Sequence, residues 1–355
     1  MLQAGAAAIA ASAFAERAFA QAAPAAAKKY PIDIYSRQMQ WIRPADELAK
    51  AAVGMGYDGV NLTVRTYPGH VDPAKVKTDL APYVKTLRGA GLNVSIITTN
   101  IADADSPYAE AILDAAAQVG IHNYWWGTYR YDLSKPIQEQ IDAIKPRVEK
   151  LVRLNEKYKA KALYHNYSGP GVIGNMIWDL LQVLKLHDPA YVGFHYDLGH
   201  ASSAGSNGTW ALGMRAAGPY IGALAFKDTY LEHFDPSQAR PQGGGGPPPQ
   251  AAAAGAPRPP GAPAGGPPGG GQPRSNYPWR VKYMPLGQGL VDLPQVAEIM
   301  KQINFSGPIE IQAEYDLGGA DRGEDKITWP REQVLGALKR DLDALRASFK
   351  TAGLA

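Results

Sequence analysis

The chain contains no cysteine. Disulfides, thiolate nucleophiles and thiolate metal sites are therefore excluded, and imidazole, carboxylate, amine and amide remain as the groups able to do chemistry. Charge of one sign is also missing. Lys and Arg number 36 against 33 Asp and Glu, a formal net charge of +3 over 355 residues, too small to recruit nucleic acid or an anionic membrane by charge alone. Beyond the N-terminus no apolar run is long enough to span a bilayer. No Gly-x-Gly-x-x-Gly turn follows the first strand candidate, which counts against a dinucleotide-binding doubly wound sheet, the alternative fold for an alternating β/α chain.

Two stretches of biased composition are present. Leu2 to Phe14 is almost wholly Ala, Gly, Ile and Leu, and Ala18-Phe19-Ala20 precedes Gln21 in a small-x-small pattern. This reads as the apolar region and cleavage site of an export signal, and residues 1–29 are set apart as that segment and its linker. A basic n-region is lacking, so the signal is expected to start upstream, with a twin-arginine motif, and to deliver the protein to the periplasm. An Ala-rich helix at a cytoplasmic N-terminus is the competing reading. From about Pro241 to Arg274 the chain is nearly all Gly, Pro, Ala and Gln. Such a composition buries too little apolar surface to offset ordering, and a disordered insertion is expected there.

Between these stretches short apolar runs alternate with amphipathic ones. Strands are expected at Ile32–Tyr35, Gly59–Val64, Val94–Ile97, Asn123–Trp126, Ala162–Asn166, Val192–Asp197, Ile221–Phe226 and Ile309–Glu314, each followed by a helical pattern. Eight such units within residues 30–350 argue a single α/β domain, a (β/α)8 TIM barrel, with the insertion inside one βα loop. In a barrel the strand C-termini converge on one pocket. The polar residues so placed are Arg65, Asn100, His165, Asn166, Asp197, His200, Lys227, Asp228, Gln312 and Glu314. Imidazoles, carboxylates and amides together suit a divalent ion such as Mn2+, Mg2+ or Zn2+, which polarises a carbonyl while a carboxylate or His moves a proton on the adjacent carbon. Trp125, Trp126, Tyr129 and Tyr164 offer apolar faces to a sugar near the same rim. Ordinary core packing is the competing reading for them, at least for one tryptophan.

Several short motifs in this order carry a resemblance. They are Gly59-Val60-Asn61-Leu62-Thr63-Val64-Arg65, Tyr164-His165-Asn166-Tyr167-Ser168-Gly169, the Asp197-x-x-His200 pair, Phe226-Lys227-Asp228, Pro285-Leu286-Gly287-Gln288-Gly289, and Gly307-Pro308-Ile309 leading to Glu314-Tyr315. The chain resembles the xylose isomerase-like TIM barrel superfamily, the sugar phosphate isomerases and epimerases. The resemblance implies a divalent metal held by a Glu, an Asp, a His and a Glu from strands five to eight, with the Asp-x-x-His imidazole on the substrate. Asp197 and Glu314 match the second and last ligands. The first slot holds His165, and the third holds Ala225, which has no donor.

The expected activity is a sugar isomerase or epimerase that removes a proton next to a carbonyl. Glu314, His165, His200 and Lys227 are the expected catalytic residues. Arg65, Asn100, Trp126, Asn166 and Asp228 are expected to bind substrate, and His165, Asp197, Glu314 and Gln312 to hold the metal. Lyase activity on a keto-glycoside starts with the same proton abstraction. A non-catalytic carbohydrate-binding barrel, favoured by Ala225, stays open from another class. A metal-dependent nuclease is a third reading, disfavoured by the small charge. The expected partner is a small sugar, not nucleic acid, with an oligomer left open.

Overall fold

The computed structural model describes residues 30–169, 171–204, 208–233, 235 and 279–354. The export-like segment and the Gly/Pro-rich tract lie outside them. Eight parallel strands close a barrel: β1 (Ile32–Tyr35), β2 (Gly59–Thr63), β3 (Ile96–Thr98), β4 (Asn123–Trp126), β5 (Lys161–His165), β6 (Val192–Asp197), β7 (Ile221–Phe226) and, last in the chain, β10 (Ile309–Ile311), which pairs with both β1 and β7. The (β/α)8 architecture is as expected. The final strand ends earlier, at Ile311, and residues 312–314 continue past it to the rim.

Strand alternation sorts the side chains. On β10 Ile309 and Ile311 join the main apolar core, while Glu310 and Gln312 point to the barrel axis. On β6 Val192, Phe194 and Tyr196 face the helices, and His195 and Asp197 face the axis. Ile96, Leu163 and Ala223 form a small apolar plug inside the barrel. Everything the site uses sits above that plug, at the strand C-termini.

The outer ring is α1 (Ala45–Met55), α2 (Val76–Gly89), α3 (Ala109–Gln118), α4 (Ile137–Tyr158), α5 (Ile177–Leu184), α6 (Leu198–Ala204), α7 (Thr209–Ala217), α8 (Leu293–Gln302) and α9 (Arg331–Thr351). In α4 the buried residues Ile141, Ile144, Val148, Leu151, Val152 and Asn155 follow helical spacing, so one stripe packs inward and the charged face meets solvent. Asp292 caps α8 by accepting from Gln295 N at 3.0 Å. No helix among the described residues is long and apolar enough to cross a membrane.

One element was not expected. β8 (Asp228–His233) and β9 (Trp279–Met284) form an antiparallel hairpin that rises from the end of β7. Its two arms flank the compositionally biased tract. Asp228 anchors it: Oδ1 accepts from Thr229 N and Val291 N at 2.9 and 3.0 Å, and Oδ2 from Gly287 N and Gly289 N, both at 2.9 Å. Gly289 is required there, because a Cβ would collide with Asp228 Oδ1 and Thr229 O.

Candidate active site

The site is built around Lys227, the first residue past β7. Its side chain is 1 % exposed, and its ammonium meets polar atoms from three directions. His200 Nε2 is at 2.9 Å, Glu314 Oε2 at 3.0 Å, Asp197 Oδ2 at 3.0 Å and Gln312 Oε1 at 3.3 Å. The ring of Tyr283, from the hairpin arm β9, lies 5.5 Å from Nζ. Gly199 makes the seat possible: a Cβ there would stand 2.5 Å from Lys227 Cγ. Burial alone would lower the lysine pKa, but Asp197 and Glu314 outweigh it and hold the ammonium charged well above its usual range.

The Asp-x-x-His spacing has a local cause. Asp197 ends β6 and its Oδ1 accepts from His200 N, three residues into α6, at 2.7 Å. That is an N-cap contact, so one short motif sets a strand end, a helix start and the position of an imidazole. Lys227 can only donate, so His200 Nε2 accepts and the ring proton sits on Nδ1, bonded to Ser168 Oγ at 2.9 Å. Burial and the Lys227 charge push the His200 pKa down to about 3, which keeps the ring neutral.

His165 differs from every other group in the cluster. It is fully buried, stacks on Trp125 with centroids 3.9 Å apart, and has Asp197 Oδ2 3.3 Å from Nε2 outside hydrogen-bond geometry. Neither ring nitrogen makes a hydrogen bond. Burial, reinforced by Lys227, holds its pKa well below the ordinary value, so it carries a free imidazole lone pair. Glu314 is tied instead. Lys227 holds one oxygen and Arg37 Nη1 holds the other at 3.2 Å, and the two cations overcome burial to bring its pKa to about 2.

Of the expected site residues, the structure gathers His165, Asp197, His200, Lys227, Gln312 and Glu314. The five expected substrate contacts are each engaged with other partners. Trp126 points outward: it is fully buried between barrel and helices, donating to Ala102 O at 2.8 Å, because strand alternation turns Trp125, not Trp126, to the axis. Tyr129 and Tyr164 share that outer layer with it. Asp228 spends both oxygens on four backbone N–H groups. Asn166 spends its amide on the Asp197 backbone, accepting from N at 2.7 Å and donating to O at 3.1 Å. Asn100 is exposed, with its amide on Thr66 Oγ1 at 3.4 Å. Arg65 stays at the rim, bonded to Pro68 O at 2.7 Å, with its charge felt at Tyr35 and Tyr167.

Of the four expected aromatics only Trp125 lines the axis; the residues not foreseen are Arg37, on the turn after β1, and the rings of Tyr35, Tyr167 and Tyr283 that complete its aromatic wall. A lower polar layer, Glu310 with His195 and Asn61, was missed as well. The I-E-I-Q-A-E alternation from Ile309 to Glu314 carries the signal for Glu310, since it puts three polar residues on one face.

Whether the divalent ion implied by the resemblance fits is decided by the donors. His165, Asp197 and His200 each offer an atom, all within 4.8 Å of one another, and this trio could hold a metal. The four-ligand set does not fit. Ala225 offers no donor, His200 Nε2 already accepts from Lys227, and Glu314 reaches the cluster through the ammonium.

A sequence model of the xylose isomerase-like TIM barrel matches residues 49–334. The chain belongs to this family. No curated protein matches it. Among solved structures it is similar to the IOLI protein with a bound zinc atom, at 13 % identity and TM-score 0.60, covering 90 % of this chain and 99 % of that one. D-psicose 3-epimerase with D-tagatose from Clostridium cellulolyticum H10 matches at 12 % identity and TM-score 0.56, covering 90 % and 99 %. The 3-keto-D-glucoside 4-epimerase YcjR from E. coli matches at 13 % and 0.55, covering 90 % and 100 %. At such identities these family likenesses establish the fold.

Proposed function

We propose that this protein is a sugar isomerase or epimerase that moves a proton on the carbon next to a carbonyl of a sugar or sugar derivative. One observation carries the reading: a buried ammonium, Lys227, and a neutral, unbonded imidazole, His165, flank the same carboxylate oxygen of Asp197, at 3.0 and 3.3 Å. Two of the similar structures are sugar epimerases, which supports the substrate class.

The chain's own groups account for each step. A carbonyl oxygen that reaches Lys227 Nζ exchanges for one of its present acceptors and is polarised. His165 takes the proton from the neighbouring carbon through its free lone pair, and the electron pair moves onto the carbonyl oxygen as an enediolate. Asp197, 3.3 Å from His165 Nε2, stabilises the imidazolium so formed. Lys227 and Arg37 face the developing oxyanion. Return of the proton to the former carbonyl carbon, with the hydroxyl proton of the neighbouring carbon passing to the former carbonyl oxygen by way of the Lys227 amine, isomerises the sugar. Delivery of a proton from the Lys227 ammonium beside Glu314 to the opposite face of the same carbon epimerises it, the proton held by His165 passing to solvent and Lys227 being reprotonated from it. Glu314 held at about 2 is a weak base in the free site; a substrate that draws Lys227 away raises its basicity. Tyr35, Trp125, Tyr167 and Tyr283 supply apolar faces for sugar C–H groups.

The test is solvent deuterium incorporation, followed by NMR, with ketohexoses, aldoses and 3-keto-glycosides. Exchange at the carbon next to the carbonyl is expected on at least one class. Loss of the aglycone from a keto-glycoside would identify elimination. Sugar binding without exchange would overturn the enzyme reading in favour of a binding barrel. We also propose export to the periplasm on the strength of Leu2 to Gln21; mature protein from its host should then begin near Gln21, and intact residues 2–14 on it would refute export.

A further inference from the structure

We propose that the Lys227 ammonium is the resident cation of this site, standing where a divalent ion would otherwise polarise the substrate, so that the reaction is metal-independent. The inference deepens the isomerase reading and rests on it for the chemistry, but its core is a statement about what the pocket binds. Three observations carry it. The ammonium already contacts the two family-matched carboxylates, Asp197 and Glu314, and takes the one lone pair of His200. The slot that the family fills with an imidazole is Ala225, next to Asp197 and Glu310 in the strand register, which removes a donor. The lysine is seated, not passing through: its stem is buried, Gly199 gives way to its Cγ, and Tyr283 faces its charged end.

Ammonium and dication are mutually exclusive here. His200 Nε2 has a single lone pair, and Asp197 Oδ2 is 3.0 Å from Nζ. An ion bonded to both atoms would stand beside a buried positive charge with no water between them, a strongly repulsive arrangement. His165, Asp197 and His200 therefore form a masked metal site that Lys227 keeps closed. A fixed ammonium supplies both charge and hydrogen-bond donors to a developing oxyanion, where an ion supplies charge.

The experiment uses the full chain and zinc, cobalt and manganese salts as probes. Protein dialysed against EDTA should show no saturable Zn2+ binding by calorimetry tighter than roughly 100 µM, and its deuterium exchange on sugar should be indifferent to EDTA. The double variant Ala225→His, Lys227→Met should bind Zn2+ roughly 100-fold more tightly than wild type, since a donor is added and the competing charge removed. With Co2+ it should show visible d–d absorption absent from wild type. Lys227→Gln keeps a polar side chain of similar reach and serves if the double variant does not fold; it should show a smaller gain of the same sign. One equivalent of ion bound to wild type at micromolar or tighter affinity would overturn the proposal, as would a folded variant that gains no affinity. Exchange that appears only on adding Mn2+ would also overturn it and leave the isomerase reading standing. Metal indifference with the variant's gain, but no exchange on any sugar, would sink the isomerase reading and leave Lys227 as the resident cation.

Discussion

Glu310 and Glu314 lie four residues apart on one strand path, both reach into the same barrel, and they behave in opposite ways. Burial raises Glu310 to about 8, with only the amides of Gln312 and Asn61 to offset it. Glu314, partly exposed at the rim, is brought to about 2 because Lys227 and Arg37 stand against it. The upper layer is thus a cation-centred site with Glu314 ionised, and the lower layer a polar floor whose Glu310 stays protonated near neutrality. Residue type and strand predict neither. The presence of one seated ammonium does.

The sharpest way to break this comparison is to neutralise each glutamate. Glu314→Gln removes the anionic partner of both cations, and turnover should fall by roughly 100- to 1,000-fold. Glu310→Gln replaces a group that is already uncharged near neutral pH, and turnover should stay within about tenfold of wild type. Equal losses in steady-state assays would mean that the floor takes part in the chemistry.

Asp228 is a third kind of buried carboxylate, neutralised by backbone N–H groups alone. Asp228→Asn turns an amide N–H2 toward two of those donors, and should cost about 2–4 kcal/mol in denaturant unfolding. The damage should centre on residues 285–291 and the hairpin. A loss of turnover with no loss of stability would restore Asp228 to the substrate-binding role that its Lys-Asp motif suggested.

Inner and outer tryptophans sharpen the contrast from another side. Trp126→Leu empties a large volume in the layer between barrel and helices, and should destabilise by about 3 kcal/mol while sugar affinity holds. Trp125→Leu takes away the ring under His165, and should lower sugar affinity roughly tenfold at a smaller stability cost. If the affinities fell the other way round, the strand faces assigned here would be reversed.

The barrel was legible in the sequence because the β/α beat is a property of hydrophobic spacing, and seven of its eight strands lie close to where that spacing puts them. Asp197 and His200 were legible because one short motif sets the strand end, the helix N-cap and the position of the imidazole. The adjacent pair Trp125-Trp126 was not: two equal aromatics give no alternation signal, so which one faces the axis depends on a register only the closed barrel sets. Arg37 left no trace because it sits on an irregular turn and meets Glu314 across 277 residues. Lys227 was placed at the rim and expected to be catalytic, but the partners that seat it were not legible. A motif match assigns ligand slots one at a time, whereas the cation emerges only when four partners from separate segments surround the same nitrogen.

The mildest test concerns the lowest acid of the floor. Asp33, on β1, is raised to about 7 by burial, with a further push from Asp58 and a partial offset from Ser95, whose hydroxyl donates at 3.0 Å. Its folded pKa exceeds the unfolded value near 3.8, so between those pH values the native state binds more protons than the unfolded one. Stability from this group is therefore complete below about pH 4 and drains away as pH rises toward 7, at most about 1.4 kcal/mol per pH unit for one proton. Glu310 adds a slope of the same sign that extends to about pH 8. Asp33→Asn stays neutral throughout, and one oxygen can still accept from Ser95. Its unfolding free energy, measured in urea at intervals from pH 4 to 8, should fall less steeply than that of wild type, with the two curves diverging most above pH 7. Parallel curves would mean that Asp33 is not governed by desolvation. The floor would then hold its acids as the rim does, and the distinction between the two layers would rest on Glu310 alone.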